Sequence, residues 1–141
     1  MSEQRQIVVC IPGGALGLTD KVTTLVMDVA TLAAGVTTAL ADCDGIDLHA
    51  GPRTFHLTVW MDFNALAVAG ARIHIVTSID DVDIDYDTVD WDTWNVGFTA
   101  GATVQQSKNY DTCPAFVKVL VENLDLAQDI TDIYIIATIG P

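Results

Sequence analysis

The chain has 141 residues, half of them hydrophobic, and carries 19 acids against 6 bases for a formal net charge of −13. That length predicts one domain with enough core to fold without disulfides or a structural metal. The charge excludes partners that are themselves polyanions, namely nucleic acid and anionic membrane surfaces, whose binding depends on Lys and Arg.

Residues 1–20 read as an extended, flexible N-terminal arm. Pro12, Gly13, Gly14 and Gly17 supply backbone freedom without hydrophobic periodicity. Gly13-Gly14-x-x-Gly17 is no phosphate loop, because it lacks the Gly-Lys-Ser/Thr ending and the helix whose amides would hold the anion. Ile7-Val8-Val9-Cys10-Ile11 is too short for an export signal, so synthesis in the cytoplasm is expected. Ile11 and Pro12 are candidate partner-binding residues of the arm.

Residues 21–141 read as one β-sandwich domain. Val22 to Thr31 is rich in Val, Thr and Leu and predicts a strand; Lys21, Asp28 and the threonines argue against a membrane span over 22–41. A weaker run follows from Gly35 to Leu40, then an acidic turn with Asp42, Asp44, Gly45 and Asp47. Arg53 to Asp62 alternates strictly, with Phe55, Leu57, Val59 and Met61 on one face and Thr54, His56, Thr58 and Trp60 on the other. Ala71 to Ile79 places Ile73, Ile75 and Thr77 opposite Arg72, His74 and Val76.

The segment Asp80 to Asp92 holds seven aspartates. Asp is a poor strand former, so this stretch predicts a charged loop or edge that blocks strand-to-strand association. Asp81-x-Asp83-x-Asp85 followed by Asp87 has the opening spacing of a calcium loop. Tyr86 stands where the sharp turn needs Gly and Asp92 where a bidentate Glu belongs, so an EF-hand is excluded. Asp81, Asp83, Asp85 and Asp87 remain the weak metal candidates.

Trp94 to Thr99 predicts a short strand, and Gly101 to Cys113 a polar loop. Ala115 to Asn123 alternates again, with Val117, Val119 and Val121 on one side. Ile133 to Ile139 is nearly continuously apolar, which predicts a strand central in its sheet or covered by another subunit. Seven or eight short strands with turn signals between them give an all-β chain: a single antiparallel sandwich, jelly-roll or Greek-key-like.

Chemistry-bearing groups are sparse. Cys10, Cys43 and Cys113 are odd in number and widely spaced, which predicts free thiols rather than a disulfide framework or zinc site. The acidic turn around Cys43 is expected to raise its pKa and blunt it. His56 and His74 are expected on one outward face of neighbouring strands, with no third ligand placed beside them. No cofactor and no catalytic residue is indicated. Tyr86 and Trp91, each flanked by aspartates, have the composition of a sugar-binding site and, more commonly, of a ring plugging the end of a sandwich.

The order of features from residue 53 to 139 resembles the small β-sandwich virion proteins of tailed bacteriophages, including capsid decoration (cement) proteins and related head or tail accessories. The resemblance is carried by Thr54-Phe55-His56-Leu57-Thr58-Val59-Trp60, then Ile73-His74-Ile75-Val76-Thr77-Ser78 and an Asp turn leading to Trp91 or Trp94. Phe116-Val117-Lys118-Val119 and the apolar final strand complete it. The glycine usual after the Asp of that turn is absent, and the Asp-rich stretch takes its place. The resemblance implies a non-enzymatic protein in the virion, assembled in the host cytoplasm. It would bind the major capsid protein or other virion proteins as a homo-oligomer, with a trimer favoured. On this reading the arm and the faces holding Trp60, Ile133, Ile135 and Ile136 become buried on assembly. The alternative is a carbohydrate- or calcium-binding module.

Overall fold

Strict alternation of apolar residues places Phe55, Leu57, Val59, Met61 and Phe63 of one strand in the core of this computed structural model. The structure describes residues 21–49, 51, 54–111 and 114–140. The arm with Ile11 and Pro12, and likewise Cys10 and Cys113, lies outside the described residues.

Eight strands form two antiparallel sheets: β1 (Val22–Leu32), β2 (Ile46–Asp47), β3 (Thr54–Phe63), β4 (Ala71–Ser78), β5 (Asp92–Val96), β6 (Thr103–Tyr110), β7 (Phe116–Asn123) and β8 (Ile130–Gly140). Sheet A has the order β1-β8-β3-β6 and sheet B the order β2-β7-β4-β5. The outermost strands in sequence pair with each other, and so do the next ones in: β1 with β8, β2 with β7, β3 with β6, β4 with β5. The chain is thus one long hairpin rolled over on itself, which is the jelly-roll. Residues 79–91, the acidic segment, form the tip of that hairpin.

The core lies between the sheets. Ile73 and Ile75 of β4, Val117, Val119 and Val121 of β7, and Ile133 and Ile135 of β8 are fully buried there. Strand β8 is central, hydrogen-bonded to β1 on one side and β3 on the other. That position explains its near-continuous apolar character. It also corrects the expectation that Ile133 and Ile135 face a partner: they point into the sandwich, and Ile136 points out.

Two strands escape the sequence pattern. Ile46–Asp47, expected in a turn, pairs with Val117 and Phe116 as the short edge strand β2. Thr103–Tyr110, expected as a loop, pairs along its whole length with β3. Strand β6 is an edge; Val104 and Tyr110 pack on the core, while the inward residues between them, Gln106 and Lys108, reach polar groups of β5 and the loop after it. Lys108 Nζ and Tyr110 OH each donate to Asp92 Oδ2 at 2.7 Å, and the Gln106 Oε1 accepts from Gly97 N at 3.0 Å. Its alternation is real, but hydrophobicity does not report it.

Because the β3–β4 connection crosses between sheets, His56 and His74 lie on opposite outer faces of the sandwich. They do not share a face as the alternation of single strands suggested. His56 bonds Asn109 across to β6.

Candidate functional site

The acidic segment folds back against the outside of sheet B. A short 3-10 turn spans Asp83–Asp85. Lys118, only 7% exposed, reaches through it. Its Nζ donates to Leu40 O at 3.0 Å and Asp83 Oδ1 at 2.8 Å, and lies 5.6 Å from the Tyr86 ring centre. Tyr86 is buried and donates its hydroxyl to Asp81 Oδ1 at 2.5 Å. Burial, reinforced by the Asp81 carboxylate, pushes the Tyr86 phenol far above its ordinary range. Asp81 adopts φ 45° and crowds Gly45, where a Cβ would sit 2.1 Å from Asp81 Oδ1. Only glycine lets the two segments approach this closely.

The four weak metal candidates are therefore drawn to four different places. Asp81 holds Tyr86, Asp83 holds Lys118, Asp87 accepts from Thr77 Oγ1 at 3.2 Å, and Asp85 lies against Asp80, which raises its pKa. Among the described residues no three His, Cys, Asp or Glu side chains are grouped so as to hold a metal ion.

His74 secures the other end of the segment. Its Nδ1 lies 2.7 Å from Asp90 Oδ2 and its Nε2 lies 2.9 Å from Glu122 Oε1. Two carboxylate acceptors need both ring nitrogens protonated. Burial lowers the pKa, but the two carboxylates outweigh it and leave it raised. A raised folded-state value stabilises the protein fully below the unfolded value of about 6.5, and that stability is lost as pH rises through the folded value. The thermal midpoint of His74→Gln should therefore lie below that of the wild type by about 3 °C at pH 6, with the gap closing in alkaline buffer. A gap that does not change with pH in calorimetric scans would show that His74 contributes packing alone.

Trp91 closes the acidic end of the sandwich, with its ring 5.3 Å from Tyr110 and 6.3 Å from Phe55. With Tyr86 buried and Trp91 stacked on the core, the pair expected from composition does not form an open sugar site. Cys43 is buried, and burial first of all pushes its thiol up to about 11; Asp44 and Asp81 add to this. The expected blunting holds, chiefly through desolvation.

The opposite end differs in kind. Loops 33–37, 64–70, 97–102 and 124–129 meet there and contain no base and only two acids, Asp125 and Asp129. Asp125 is buried and receives four amides: Oδ1 from Ala127 N (2.9 Å) and Gln128 N (3.1 Å), Oδ2 from Val68 N (2.8 Å) and Ala69 N (3.4 Å). These bonds hold its carboxyl below the usual range. Gly35 N, at φ 70°, donates to Asp125 O at 2.8 Å, and Gly101 N to Asn64 O at 3.0 Å. On this tied frame stand the exposed side chains of Val36, Leu66, Val68 and Leu126, the last 87% exposed. Single apolar residues in loop sequence carry no signal of this grouping.

The outer face of sheet A is the third surface, and register fixes its four rows. Across β1, β8, β3 and β6 they read Thr23-Thr138-His56-Asn109, Leu25-Ile136-Thr58-Ser107, Asp28-Tyr134-Trp60-Gln105 and Thr31-Thr131-Asp62-Thr103. No Lys or Arg stands in them. A groove of about 570 Å³ runs over the lower rows, lined by Leu25, Trp60, Asp62, Thr103, Asp132, Tyr134 and Ile136. Of the expected partner residues, Trp60 and Ile136 thus come together here. Leu25, Tyr134 and the carboxylates were not legible in the sequence, because only pairing register makes them neighbours.

No family profile and no curated protein sequence matches this chain. Among solved structures, it is similar to a chain of infectious bursal disease virus, Gx strain, at 15% identity and TM-score 0.47, covering 86% of this chain and 32% of that one. It is similar to a family 16 carbohydrate-binding module at 18% identity and TM-score 0.41, over 74% of this chain and 70% of that one. A third similarity is to a chain of the disulfide-linked pili of Bacillus endospore appendages, at 14% identity and TM-score 0.38, over 96% and 98% of the two chains.

Proposed function

We propose that the protein is a non-enzymatic structural subunit of a virion, a capsid decoration protein that attaches by the less charged end of its sandwich and turns the acidic end to solvent. The observation that carries this reading is the separation of charge along the strands. Loop 79–91 lies at one end of β4 with six aspartates, while the loops at the other end hold only Asp125 and Asp129; exposed apolar side chains stand at both ends, Ile79, Ile84 and Val89 at the first and Leu66, Val68 and Leu126 at the second. In a chain of net charge −13, the end whose loops hold fewest acids is where copies or a capsid protein can approach against the least repulsion. Apolar side chains on a rigid frame suit a contact that costs little ordering entropy. Crowded copies would then repel one another through their acidic ends.

The reading includes a homo-oligomer, favoured as a trimer, with the major capsid protein or another virion protein as partner. Symmetry would let one apolar patch serve several times. The test is the solution mass by light scattering of the wild type and of a Leu66→Asp/Leu126→Asp variant. A defined oligomer that becomes monomeric in the variant, with an unchanged thermal midpoint, supports the reading. An oligomer indifferent to both charges overturns this attachment surface, and a wild-type monomer removes the homo-oligomer, leaves attachment only on a capsid and puts the binding-module alternative on equal standing.

A further inference from the structure

We propose that the groove on the outer face of sheet A is a binding site for a neutral glycan chain. Trp60, 41% exposed, and Tyr134 are direct cross-strand partners and both line the groove, so two aromatic side chains stand next to each other in register on this face. Acceptors flank the two rings on three sides, and Leu25 and Ile136 extend the apolar surface on the fourth. Asp28 pairs with Tyr134 on the β1 side, Gln105 with Trp60 on the β6 side, and Asp62 and Asp132 border the row below. Thr103 Oγ1 donates to Asp62 and fixes its orientation. Both bulges of sheet A, at Leu25/Met27 and Trp60/Asp62, fall beside this row and locally twist the strands that carry it.

Other occupants fit less well. A second copy laid face to face would stack Asp28, Asp62 and Asp132 on their own equivalents. Asp132 already has a raised pKa because Asp62 and Asp28 stand near it. An apolar protein patch would strip water from these carboxylates without replacing it. Anionic ligands meet no cation in the four rows. A neutral sugar satisfies both halves: its C–H face covers the rings, and its hydroxyls donate to the carboxylates, which are the stronger class of acceptor. The volume is within the range of small-ligand pockets, and the shallow form suits a chain passing over the sheet more than an enclosed monosaccharide.

This site is separate from the less charged end and stands whether or not the protein assembles. The probes are neutral hexaoses of β-1,4-linked glucose, xylose, mannose and N-acetylglucosamine and of α-1,4-linked glucose, with spermine as the cationic comparator. Each is titrated into the full chain by calorimetry and followed by tryptophan fluorescence. Binding of at least one hexaose is expected, weakened about tenfold or more by Trp60→Ala. Asp132→Gly should weaken it as well without loss of stability, since its φ of 51° suits glycine; Val89→Ala, on the acidic loop, should leave it unchanged. No heat with any hexaose overturns the proposal. So does binding that survives Trp60→Ala, or binding of spermine alone, which would mark the groove as an acidic trap for cations.

Discussion

Asn123→Ala should lower the unfolding free energy by about 3–4 kcal/mol, a large share of the roughly 5–15 kcal/mol typical of a domain. Asn123 is 1% exposed and ends β7 where four segments meet. Its Nδ2 donates to Leu32 O at 3.3 Å, Ala33 O at 3.3 Å and Gln128 O at 2.8 Å, and its Oδ1 accepts from Asp125 N at 3.0 Å. Alanine removes two N–H donors, one of them shared by the Leu32 and Ala33 carbonyls, and one acceptor in a place that water reaches poorly, and each group so orphaned costs about 1–3 kcal/mol before relaxation. The hydration available at a loop end keeps the sum below the full penalties. Asn123→Asp should do no better, because a carboxylate cannot donate to those carbonyls and would sit next to Asp125. Denaturant unfolding reads the loss, and hydrogen exchange should show loops 64–70 and 124–129 opening before the strands. A change below about 1 kcal/mol would mean that solvent already serves these groups.

Phe55→Ala should cost about 3–5 kcal/mol and lower the thermal midpoint by about 10 °C or more. Its ring is 1% exposed and stacks on Tyr110 with centroids 4.6 Å apart and planes 10° from parallel. Trp91 leans on the same pair, so the cavity opens under the residue that closes the acidic end. Two consequences separate this from generic core damage. Tryptophan emission should shift to the red as Trp91 gains water, and Phe55→Leu, which keeps most of the volume, should lose only about 1 kcal/mol. An equal loss in both variants would argue that the stacked geometry, and not the volume, supplies the stability.

Local pattern and global placement were unequally legible. Strands β3, β4, β7 and β8 announce themselves because alternation follows from the pleat and needs no knowledge of partners. Val76 departs from its expected exposure: it pairs with Lys118, and the acidic segment covers that part of sheet B. β6 was hidden because an edge strand can face a neighbouring edge through Gln106 and Lys108 and still be a strand. His56 and His74 were assigned to one face because sheet membership depends on where each connection crosses, which residue spacing does not encode. Trp60 and Ile136 were rightly singled out as outward-facing. Ile133 and Ile135 were grouped with them only because a doubly apolar strand conceals which of its faces is inside. The acidic segment is the charged loop its composition predicts, yet its anchors, Lys118 and His74, sit on strands β7 and β4.

The rolled-hairpin topology has a consequence for how the chain reaches its native state. Only β4 and β5 pair across the hairpin tip; every other nested pair closes a longer loop than the one before it, so the search slows as the structure grows. β1 and β8, the most distant in sequence, are placed to join last. Until β1 arrives, one edge of β8 offers unpaired amides beside Ile133, Ile135 and Ile136, a template on which the β1 of another molecule fits as well as its own. Concentration during synthesis should therefore govern yield more than final stability does, with strand-exchanged dimers as the characteristic by-product.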